Sequence, residues 1–84
     1  MSTTTPAAAL IAALDTIGVA NPATVLANDP DVTFAALEVD SLGIIEVISR
    51  LEADCGIVVP DDDLSIYVRP ADLLAAAHPQ REAA

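Results

Sequence analysis

The strongest periodicity along the chain begins at Asp40-Ser41. From there Ile44, Val47, Ile48, Leu51 and Cys55 recur so that, at 100° per residue, they fall within an arc of about 100°. This is the buried stripe of an amphipathic helix, and Gly56 ends it. An earlier apolar set, Leu10, Leu14 and Ile17, repeats at i, i+4 and i+7 and predicts a helix of about three turns. Thr5 is placed to cap it, Pro6 suits its first position, and Gly18 stops it. Between the two helices, residues 19–40 carry Asn21, Pro22, Asn28 and Pro30 and read as a long connection. Val25, Leu26, Phe34 and Leu37 are expected to pin it to the core, with short helical turns near 22–27 and 33–37. Ile57-Val58-Val59 is β-branched and reads as extended. A single helical turn is expected to start within Pro60–Leu64, among Asp61, Asp62 and Asp63. Pro70 opens a last helix through Ala77, with Leu73 and Leu74 inward, and His78-Pro79 ends it.

Composition agrees with helices. The 84 residues include 17 Ala against 24 Val, Ile and Leu, and alanine is the best helix former and a poor core filler. The expectation is one all-α domain, residues 1–84, with the ends near 1–5 and 79–84 frayed. Lone Cys55 allows no internal disulfide.

Charge excludes several functions. There are 13 acidic and 3 basic side chains, net −10, and no Lys. Nucleic acid and anionic membrane both require cations that this chain lacks. Phe34 and Tyr67 are its only aromatics, too few for base stacking. A protein partner with a basic patch is favoured instead. The N-terminus shows no signal-peptide pattern and no uncharged run is long enough to span a bilayer, so a soluble, cytoplasmic protein is expected; a monomer is expected as well. No His/Cys cluster has metal-ligand spacing and no nucleophile has a base beside it, so neither a metal site nor an enzyme is expected.

Asp40-Ser41-Leu42 has two readings. As a helix start, Asp40 caps free N–H groups and Ser41 fills the first turn. Alternatively, Ser41 is an exposed hydroxyl available for modification, where a helix N-terminus favours an attached anion. The outer face of this helix favours the second. Leu42, Ile45, Glu46, Ser49 and Glu52 lie opposite the buried stripe, which puts two aliphatics among carboxylates, as in a docking surface with an apolar centre and a charged rim.

With these features the chain resembles the acyl carrier protein family from about Phe34 to Leu74. The resemblance rests on Phe34-x-x-Leu37, Asp40-Ser41-Leu42, the acidic helix through Leu51-Glu52, the run Cys55-Gly56-Ile57-Val58-Val59-Pro60-Asp61, and Pro70-x-Asp72-Leu73-Leu74. It implies a small four-helix bundle of three longer helices and one short one, with a long loop between helices 1 and 2. It implies 4′-phosphopantetheine on Ser41, transferred from coenzyme A by a holo-acyl-carrier synthase that Asp40 helps to recognise. It further implies that Leu42, Ile45, Glu46, Ser49 and Glu52 are read by ketosynthase, acyltransferase and tailoring enzymes with basic docking patches. Three positions depart from the pattern. Glu38 stands where carriers usually have Gly, Gly43 lies early in the helix, and Arg69 replaces a common Ser or Thr cap. Asp before the serine is similar to acyl rather than peptidyl carriers, a chain holding only this domain resembles a freestanding carrier, and the lysine-free, alanine-rich composition is similar to carriers of bacterial aromatic polyketide synthases. A type II fatty acid carrier is the alternative, and an unmodified acidic interaction module is the rival from another class.

Overall fold

In the computed structural model, which describes residues 4–79, helix α1 spans Pro6–Thr16 and starts as the Thr-Pro pair predicts. The Ala8 N–H donates to Thr5 Oγ1 at 3.1 Å. Ala9, Leu10, Ala13 and Leu14 form its buried face, and Gly18 follows with a φ of +106°, a left-handed stop that glycine adopts without strain. Of the ends expected to fray, residues 1–3 and 80–84 lie outside the described residues, Thr5 caps α1, and Pro79 lies in a strand.

The long connection is more ordered than its breaker residues suggest. The expected turn near 22–27 is a two-turn helix, α2, at Pro22–Asn28. The turn near 33–37 is closed by Thr33 Oγ1, which accepts the Ala36 N–H at 3.0 Å. There the Val39 N–H donates to the Phe34 carbonyl at 2.9 Å. Phe34 is buried, Leu26 and Leu37 pack half-buried against the core, and Val25 is half-buried. Val32, which the pattern did not single out, is also buried.

Helix α3, Ser41–Cys55, carries Ile44, Val47, Ile48 and Leu51 inward and ends at Gly56 with a φ of +65°. Its main partner is α1. Cys55 is half-buried against the core. It packs there as a small hydrophobe, and burial, then the charge of Asp54, pushes its thiol pKa up and keeps it neutral. Strand β1, Ile57–Val58, is extended as expected, but it has a partner. It pairs antiparallel with β2, His78–Pro79, in the register Ile57 to Pro79 and Val58 to His78. His78, expected only to end the last helix, therefore belongs to a ladder.

The single helical turn arrives later than Pro60. It is a 3₁₀ turn at Leu64–Ile66, because Asp63 supplies its cap. The Asp63 carboxylate accepts the Ser65 N–H at 3.1 Å and the Ser65 hydroxyl at 2.6 Å, and those bonds hold its pKa below the usual carboxylate value. Buried Tyr67 then donates its hydroxyl to the Pro60 carbonyl, closing the segment on itself.

The final helix, α4, spans Pro70–Ala76. Arg69 makes no side-chain cap bond to the first turn of α4, and Asp72, inside that turn, instead accepts the N–H groups that lead into the helix. Asp72 Oδ2 accepts the N–H groups of Arg69 at 2.9 Å and Val68 at 3.1 Å. Its other oxygen takes Arg69 Nη2 at 2.7 Å, while Arg69 Nη1 reaches Asp31 at 2.9 Å and ties the long connection to α4. The Arg69 guanidinium, then its backbone N–H, lowers the Asp72 pKa. A depressed carboxylate stabilises the fold above its unfolded value of about 3.9, and that stability is lost as pH falls through the folded value. Between pH 5 and pH 3, roughly bracketing that value, Asp72→Asn should therefore lose less of its urea midpoint than the unaltered chain. Parallel losses would contradict this role for Asp72.

Helices α1 and α3 are the longer ones, and α4, expected to be long, has seven residues like α2. Among the described residues, four α-helices, one 3₁₀ turn and a two-residue ladder thus make a small, mostly helical bundle. Its core joins Leu10 and Leu14 of α1 to Phe34, to Val47 and Leu51 of α3, and to Val59, Tyr67 and Leu73.

Candidate functional site

The site is the first turn of α3. Asp40 has an extended backbone and caps the helix, its Oδ1 accepting the Gly43 N–H at 3.0 Å, while the Ile44 N–H donates to its carbonyl at 3.0 Å. Ser41 is the first helical residue and is exposed. Among the described residues its hydroxyl makes no hydrogen bond, and neither its own N–H nor that of Leu42 has a partner. The site thus offers a free nucleophilic oxygen beside two unpaired donors, at the positive end of a 15-residue helix. An anion attached to Ser41 fits there electrostatically.

The outer face of α3 is placed as the periodicity predicts. Leu42 is 75% exposed and Ile45 45% exposed, although both are large aliphatics, and Glu46 and Ser49 are exposed beside them. The carboxylates are less free than the pattern implies. Glu46 Oε2 pairs with Arg50 Nε at 2.8 Å, one turn along, so Arg50 turns back to Glu46 rather than forward to Asp54. Such an exposed pair contributes about 0.5 kcal/mol or less. Glu52 is half-buried, and its Oε2 accepts the Val59 N–H at 3.0 Å, tying the end of α3 to the extended segment. Glu52 therefore has a structural task that helix periodicity could not reveal. Nothing in the sequence links it to Val59.

Gly43 also gains a reason. A Cβ built there would lie 2.7 Å from Val39 Cγ1 and 3.5 Å from Ile17 Cδ1. The backbone of α3 approaches Val39 too closely for a side chain, and a β-branched neighbour has little freedom to retreat. A lone glycine inside a helical pattern was the available signal. Helix propensity favours alanine here by up to about 1 kcal/mol, but overpacking costs about 1–3 kcal/mol. Gly43→Ala is thus expected to lower the melting temperature by several degrees, at roughly 4–8 °C per kcal/mol. A higher melting temperature would show that Val39 yields.

No group of three or more His, Cys, Asp or Glu among the described residues is arranged to hold a metal ion, and no described helix is long and apolar enough to cross a membrane.

A family model described as a phosphopantetheine attachment site matches residues 8–77, from α1 through α4. No curated protein and no solved structure matches the chain.

Proposed function

The chain belongs to the phosphopantetheine-attachment family, and from that premise we propose that it is an acyl carrier protein of type II polyketide biosynthesis, modified on Ser41. Members of the family carry a covalent 4′-phosphopantetheine and act as carriers serving synthases, transferases and related enzymes. The observation that carries the assignment to Ser41 is its hydroxyl, exposed and without a partner among the described residues at the first position of α3, inside the matched segment.

The group, once attached, supplies a terminal thiol that holds an acyl chain as a thioester. The chain's own residues bind and present it. Asp40 fixes the first turn, so that Ser41 Oγ is offered in one place. The N–H groups of Ser41 and Leu42 and the helix dipole stabilise negative charge at that oxygen. Deprotonation of Ser41 needs no base from this chain, because the holo-acyl-carrier synthase that transfers the group provides it. Leu42 and Ile45 supply the apolar centre of a docking face rimmed by Glu46 and Ser49, while Glu52 contributes mainly through its hold on Val59. Ketosynthase, acyltransferase and tailoring enzymes with basic patches are the partners this face suits. The setting is the cytoplasm and the working form a monomer.

The pathway is tested by offering the acyl-loaded protein to two condensing enzymes, one from an aromatic polyketide system and one from fatty acid synthesis. Faster turnover with the first is expected. Faster turnover with the second would assign the chain to fatty acid synthesis.

A further inference from the structure

Glu38 adopts a backbone that its side chain opposes. Its φ is +61°, in the left-handed region where a Cβ crowds the carbonyl and costs about 1–2 kcal/mol. The turn around it leaves no alternative. The Glu38 N–H donates to the Ala35 carbonyl at 3.0 Å, the Val39 N–H to the Phe34 carbonyl at 2.9 Å, and Phe34 is buried. Glycine would take this conformation freely.

Among the described residues nothing compensates for the glutamate. Its carboxylate is exposed and makes no hydrogen bond or ion pair among the described residues. Arg50 is engaged by Glu46, and Arg69 by Asp31 and Asp72. Arg81 lies outside the described residues. Glu38 instead helps to wall a largely polar hollow of about 280 Å³, together with Asp40, Val39, Gly43 and the Ile17–Val19 exit from α1. This hollow adjoins the Asp40–Ser41 helix start. Two carboxylates and the negative end of the α1 dipole line it, so it suits a cationic side chain. Strain that no described residue compensates, next to a reactive residue, points to a role outside the fold.

We propose that Glu38 is a specificity-determining residue for modification of Ser41, receiving a Lys or Arg side chain of the transferase in this hollow. The inference rests on Ser41 as the attachment residue. It adds a contact at a position where glycine could provide none, so it selects among transferases by charge rather than enabling the chemistry.

The test follows loading of the full chain with coenzyme A and a broad-specificity phosphopantetheinyl transferase, over a range of salt. Glu38→Gln keeps the shape and removes the charge. It is expected to raise KM about 3-fold at low salt, leave kcat unchanged, and flatten the salt dependence. Glu38→Gly should show the same KM with a melting temperature several degrees higher, which separates recognition from folding. Asp54→Asn, the same charge change about 20 Å along α3 at 1.5 Å per residue, should leave KM unchanged. Normal KM and salt dependence in Glu38→Gln would overturn the proposal, as would an equal rise in Asp54→Asn. If the unaltered chain gains no mass, the attachment reading falls as well.

Discussion

Leu51→Ala is expected to lower the melting temperature by about 15 °C, from a loss of about 3 kcal/mol at roughly 4–8 °C per kcal/mol. Leu51 is fully buried in the same core as Leu14, Val47, Val59 and Leu73. Truncation removes three carbons' worth of burial and leaves a cavity that these neighbours fill only in part. A domain of 84 residues buries a modest fraction of its surface and has little stability in reserve. Leu42→Ala, the same substitution nine residues earlier on α3, removes a side chain that is 75% exposed and should change stability by about 0.5 kcal/mol or less. Thermal unfolding of the two variants measures the difference between the faces of α3. Similar losses would mean that Leu42 is not the free apolar centre of a docking surface.

That contrast was legible in the residue pattern, and the reason is physical. A helix that packs on one side repeats its apolar residues every 3.6 positions, so α3 announced both its stripe and its outward Leu42 and Ile45. Capping chemistry is equally local. Thr5 before Pro6, and Asp40 before Ser41, act within three residues of where they stand. Interactions across the chain are different. Glu52 holding Val59, Arg69 reaching Asp31, and His78 pairing with Val58 join segments that no local rule relates. The Gly43 contact with Val39 falls between these cases. A glycine in a first turn signals a close approach, but only the fold says to what. The three departures from the carrier pattern are explained unevenly. Gly43 is required by space and Arg69 is served by Asp72, whereas Glu38 remains strained and unpaired within the described residues.

Ser41→Ala should abolish modification completely while leaving the fold intact. The residue is exposed, its hydroxyl holds nothing in place, and alanine suits the first turn of a helix. Other hydroxyls do not substitute for it. Ser49 is exposed but lies mid-helix, where the N–H groups are committed to the helix and no free donors surround it. Ser65 donates its hydroxyl to Asp63. Position at the start of α3, rather than exposure alone, distinguishes Ser41.

The most direct measurement is therefore the intact mass of the unaltered chain and of Ser41→Ala, each incubated with coenzyme A and a broad-specificity phosphopantetheinyl transferase. The unaltered chain is expected to gain the mass of one phosphopantetheinyl group and Ser41→Ala none. No gain in the unaltered chain, or an equal gain in both, would contradict the assignment of Ser41.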